Sequence, residues 1–124
     1  MKIITEKFEN EKQAKEFWDE SIFDMLDISF FLVDNGFINQ GREFCEIFSN
    51  EKYMDVLAKY KFDFLKIKQF LGIPSIYLDR NISIDNLQNA KRNKVNNVDK
   101  EKLENYTEAF FSIFYNEFEK INKK

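Results

Sequence analysis

Carboxylates are the side chains whose type and spacing could do chemistry in this chain. Glu16, Glu20, Asp24 and Asp27 recur at steps of three and four, which puts them on one side of a single helix, and Asp34 follows one heptad after Asp27. Glu43 and Glu46, three apart, form a second pair. Oxygen ligands at such spacing can share a Mg²⁺, and Asp24, Asp27, Glu43 and Glu46 would be the ligand set of a Mg²⁺-dependent phosphohydrolase. The competing reading is a docking face. Between Glu16 and Gln40 there are acids and no Lys or Arg, a one-sided charge that suits a basic surface on a partner. The docking reading is preferred, with Glu16, Glu20, Asp24, Asp27 and Asp34 as the expected partner-binding residues and with no catalytic residue, metal or cofactor expected.

The chain has no histidine, so the commonest general base and metal ligand is missing. Cys45 is the single cysteine. It falls on the apolar side of a short helix and reads as a buried thiol rather than a nucleophile. Glu43-Phe-Cys-Glu46 resembles the first E-x-x-E pair of the all-helical nucleoside-triphosphate pyrophosphatases. The second pair of that family, E-x-x-D, has no counterpart, since Glu51 and Asp55 are four apart.

A length of 124 residues fits one domain, 1–124. Apolar residues make up 44 % and aromatic residues 17 %, with 15 phenylalanines, enough to build a core without disulfides. The net charge of −3 argues against a broad nucleic-acid surface. The basic stretch from Lys91 to Lys102 lacks interleaved aromatics and reads as solvated, leaving nucleic-acid binding through 91–102 as a weaker alternative. The N-terminal residues show no secretory pattern, and the most apolar run, Ile22 to Val33, is interrupted by Asp24 and Asp27. The expectation is a cytoplasmic protein without a membrane span. Usage rich in Lys, Asn, Ile and Phe hints at a low-GC bacterium, a phage or a mobile element.

These residues need elements to position them. Three glycines and one proline leave room for long helices. Asn10 with Gln13 signals a helix start, and Gly36 its end near Asn35. A short helix follows over 37–48, with Gly41 on its apolar face where another helix can approach closely. Tyr53, Leu57, Tyr60, Phe64, Ile67 and Leu71 step by 4, 3, 4, 3, 4, which predicts one helix from Asn50 to Leu71 stopped by Gly72. Residues 73–84 read as an ordered loop, with a small β-hairpin as the alternative. Asp85 with Gln88 predicts a short helix to about Asn93, and a last helix runs from about Asp99 to Ile121. Its apolar arc spans roughly 200°, about twice what a helix lying on a core requires. Phe111, Tyr115 and Glu117 widen that arc and are the expected apolar interface, a homodimer contact being one use. Thr107 lies in the arc too, with its hydroxyl expected to bond back to the preceding turn. The fold class is therefore all-α, an irregular bundle of four to five helices. The expected function is a small non-enzymatic protein-binding module, an inhibitor, immunity protein or accessory subunit that masks a surface of a larger protein.

Overall fold

The computed structural model describes residues 4–122. The order is β1 (Ile4–Lys7), α1 (Glu11–Asp34), α2 (Ile38–Ile47), a 3₁₀ turn (Glu51–Tyr53), α3 (Met54–Lys59), β2 (Tyr60–Phe62), α4 (Phe64–Leu71), a second 3₁₀ segment (Ile84–Asn89) and α5 (Lys100–Asn122). The domain is an all-α bundle carrying one antiparallel ribbon, in which Ile4 pairs with Phe62 and Lys7 with Tyr60. None of the described helices is long and apolar enough to cross a membrane.

The helix boundaries follow local chemistry. At the start of α1 the Gln13 N–H donates to Asn10 Oδ1 at 2.8 Å, and Gln13 Oε1 accepts from the Glu9 N–H at 2.8 Å. One N–H that the first turn of the helix leaves open is thus satisfied, together with the N–H of the residue before the cap. The helix runs unbroken past Ser21 and closes on Gly36 at φ 93°, where the Gly36 N–H donates to Val33 O and the Phe37 N–H to Leu32 O. A residue with a Cβ is strained in that left-handed conformation. Asp63 caps α4 and Asp99 caps α5, through the N–H groups of Lys66 and Lys102.

The predicted helix from Asn50 to Leu71 is instead two short helices separated by β2. In one straight helix Phe62 would point about 160° away from Phe64 and lie off the apolar seam. As an extended segment, 60–62 lets both rings turn inward, and Phe62 and Phe64 are both buried. Their rings connect a continuous aromatic network: Phe64 meets Phe17, Trp18, Phe48 and Phe62, and Phe62 meets Phe110 and Phe114. Such pairs contribute about 0.5–1.5 kcal/mol each beyond area burial.

Residues 73–84 form the expected loop, and the hairpin alternative is not found. The pairing that does occur is longer in range. Leu78 bridges Arg92, the Asp79 N–H donates to Lys91 O, and the Asn93 N–H donates to Tyr77 O. The segment after it is the 3₁₀ stretch Ile84–Asn89, preceded by Ser83, which supplies no side-chain cap, rather than a helix capped by Asp85.

The wide apolar arc of α5 is covered from within the chain. Phe111, an expected interface residue, is buried against the domain's own core, as are Phe110 and Phe114. The Thr107 hydroxyl, expected to bond to the preceding turn, has no partner among the described residues. Beside it is a void of about 10 Å³ bounded by Ile28, Phe44 and Leu71.

Gly41 marks where α2 meets α1. A Cβ built there would lie 2.6 Å from Val33 Cγ2 and 2.7 Å from Ser29 O, and the Ser29 hydroxyl donates to Gly41 O at 2.8 Å. Gly41→Ala is expected to destabilise the domain by about 1–3 kcal/mol through overpacking, although alanine is the better helix former. A thermal melt in which Gly41→Ala matches or exceeds the parent protein would refute the close-approach account.

Candidate functional site

The predicted acidic face does not stay together. Asp27 is fully buried. Arg80 engages it with two bonds, Nη1 to Oδ1 at 2.9 Å and Nη2 to Oδ2 at 2.8 Å. Lys68 Nζ donates to Asp27 Oδ2 at 2.9 Å, and the Leu78 N–H donates to Oδ1 at 2.9 Å. The Lys68 ammonium is buried as well and completes its bonds with Asp24 Oδ1 at 2.5 Å and Ser75 O at 2.8 Å. Asp34 accepts from Tyr77 Oη at 2.7 Å and from Arg92 Nε at 3.1 Å. Asp24, Asp27 and Asp34 are thus countered one for one by Lys68, Arg80 and Arg92. Asp27 in particular cannot meet a partner, because leaving so buried a carboxylate without its cations is costly.

The arginines also cover two half-buried rings of α1. The Arg80 guanidinium lies over Phe23 at 4.9 Å, and that of Arg92 over Phe30 at 5.0 Å. Each arginine therefore clips onto a phenylalanine and the aspartate one turn beyond it, Phe23 with Asp27 and Phe30 with Asp34. The two pairs are one heptad apart on α1. Planar, delocalised guanidinium can stack and form bidentate bonds at once, which an ammonium cannot. The seam is a structural clamp that straps residues 73–93 to α1.

The remaining predicted residues are scattered. Glu16 and Glu20 are exposed on α1. Tyr115 donates to Glu43 Oε1 at 2.8 Å. Glu117 sits at the rim, 3.4 Å from Lys120 and against the Tyr60 hydroxyl. Asp24 and Asp27 are held by the clamp while Glu43 faces Tyr115 and Glu46 borders an open cleft beside Arg42, so the four carboxylates weighed as a Mg²⁺ set do not converge. Among the described residues no group of three or more His, Cys, Asp or Glu is placed to hold a metal. Cys45, expected to be buried, is exposed, and desolvation raises its thiol above the ordinary value, the opposite of an activated nucleophile.

One feature escaped the sequence reading. An apolar groove of about 320 Å³ runs between the first half of α1 and α3, walled by Ala14, Trp18 and Met25 on one side and Met54, Leu57 and Ala58 on the other. α2 covers the same face of α1 only further along, at Ser29 and Val33. The half-buried Trp18 is fixed by its indole N–H, which donates to Leu57 O at 2.6 Å. Met54 is 54 % exposed. The sequence signal was the i, i+4, i+11 spacing of Ala14, Trp18 and Met25, which marks an apolar stripe but does not show which part of it other elements leave uncovered. Glu16 and Glu20 lie about 160° around the helix from Trp18 and do not border the groove.

The fold and these surfaces define a small helical domain with a clamped acidic seam and an open apolar groove. No family model matches the chain, and neither the curated proteins nor the solved structures contain a match to it.

Two measurements test the seam. Asp27→Asn is expected to cost roughly 3–5 kcal/mol, the penalty for stranding a buried cation, whereas Asp34→Asn, in a partly exposed pair, costs far less. Equal shifts of the urea midpoint would refute the central role of Asp27. Tyr77 and Tyr115 are held above the ordinary tyrosine range, first by desolvation and then by their bonds to Asp34 and Glu43. These two raised values contribute stability that is complete below about pH 10 and is lost as pH rises further, because only the unfolded chain then releases the protons. Tyr60 is raised as well, by desolvation and its contact with Glu117, so ultraviolet titration should show a late-ionising component in the folded protein that loses one tyrosine in Tyr77→Phe and one in Tyr115→Phe. An unchanged late component in either variant contradicts the assignment.

Proposed function

We propose that this protein is a small non-enzymatic protein-binding module, acting as an inhibitor, immunity protein or accessory subunit by masking a surface on a larger protein. The observation that carries this reading is the groove beside Trp18. It is an apolar trough of about 320 Å³, whereas most of the other described rings are buried in the core or packed against it. Monomeric proteins seldom leave such surface unfilled without a use for it. Its walls are of the adaptable kind. Met25 and Met54 are unbranched and polarizable, and tryptophan is among the residues enriched at the energetic centres of interfaces. The surface assigned to partner binding shifts accordingly, from the acidic row of Glu16, Glu20, Asp24, Asp27 and Asp34 to the groove, because its three aspartates are spent on the clamp and its two glutamates lie away from the groove.

Met54→Glu places a charge in the groove at an exposed position with little cost to the core. From an extract of its native host, the parent protein is expected to retain a partner that Met54→Glu loses and that Ile76→Glu, changed at an equally exposed apolar site elsewhere, keeps. Retention of the same partner by Met54→Glu would sink the groove reading.

A further inference from the structure

Resting on the groove reading, the geometry points to a particular occupant: we infer that the groove receives an amphipathic helix of about four turns, whose flank carries a basic, an acidic and a basic residue at four-residue intervals.

The length comes from α1. The groove residues on α1 extend from Glu11 to Met25, which at about 1.5 Å per residue is about 21 Å along that helix. A helix of about 14 residues covers that distance. The volume of about 320 Å³ accommodates a few aliphatic side chains, the number a helix of that length presents on one face at i, i+4, i+7 spacing. Ala14 and Ala58, one from each helix, are the smallest residues of the lining, so a partner backbone can come close.

The charge pattern comes from the rim. Glu11, Lys15 and Asp19 line the groove at four-residue steps, negative, positive, negative. At this spacing they could pair with each other along α1. Among the described residues none of the three is in an ion pair, in contrast to Asp24, Asp27 and Asp34, each of which is countered. A helix laid along the trough meets this ladder with a complementary one, as the flanking charges of paired helices do. Because the ladder is symmetric, it fixes register without fixing direction, and the apolar anchors must choose between parallel and antiparallel seating.

The test is a selection from displayed 16-residue helical peptides, with randomised apolar and flanking positions, against the full chain. Binding of the enriched peptide is then followed by titration calorimetry and by the fluorescence of Trp18, the single tryptophan. Enriched peptides are expected to carry Lys or Arg, then Glu or Asp, then Lys or Arg at four-residue spacing. Met54→Glu should weaken the chosen peptide at least tenfold. Asp19→Lys should weaken it about fivefold, and a peptide with the facing Lys changed to Glu should recover that loss. Peptides without the charge ladder, or a charge swap that rescues nothing, would overturn this inference while a Met54→Glu effect left the groove reading standing. Binding indifferent to Met54→Glu, or no enrichment at all, would overturn both. Self-association by sedimentation that Met54→Glu abolishes would make the occupant a second copy and likewise overturn the partner-helix inference.

Discussion

A carboxylate buried in the middle of a long helix constrains nearly everything else in this domain. Asp27 is out of reach of water and must be neutralised and hydrogen-bonded to remain charged. It draws one cation from α4, a second from the loop beyond, and a backbone N–H from that same loop. Those bonds decide where α4 lies and how a chain segment with little regular structure of its own settles onto α1. The net stabilisation from such a buried group is modest, because desolvation offsets much of the attraction. Its contribution is to arrangement: it selects one position for residues that apolar packing alone would leave free to slide.

Around that fixed point the apolar core is built from rings. Phe64 and Phe62 occupy its centre because the backbone between α3 and α4 becomes extended for three residues, and that extension has its own partner in β1. The ribbon is therefore a packing device as much as a β element. It converts an i, i+2 pair into two inward-facing side chains, which a helix cannot do. The same economy governs the surface, where guanidinium groups cover Phe23 and Phe30 and leave the groove beside Trp18 as the large apolar feature still open.

Most local signals in the sequence were reliable guides, the Asp85 and Gln88 pair, which opens no capped helix, being the exception. The capping pair at Asn10 and Gln13 and the stop at Gly36 are each set by residues within a few positions of one another, and both are found, as are the close approach at Gly41 and the long last helix. The failures share a different cause. The break at 60–62 depends on a strand more than fifty residues earlier, and over so short a run a seam of threes and fours does not distinguish one helix from two. The acidic row was visible, but its counter-ions stand at 68, 80 and 92, in other elements, so it looked unpaired. The repeat that would have revealed the clamp, Phe followed four residues later by Asp at 23 and 27 and again at 30 and 34, was present throughout. It reads as two more apolar rings until an arginine is placed on each.

That repeat has a consequence for how α1 can change over time. Two arginines on one strap grip two sites that are one heptad apart, so the stretch of α1 between the grips works as a ruler. Inserting or deleting a single residue between Asp27 and Phe30 would turn one site about 100° away from the other and release one arginine while the other held. Substitutions in this stretch can be absorbed by repacking, but changes of length cannot. The strap between Arg80 and Arg92 carries no such periodicity and is the part of the pair free to lengthen or shorten.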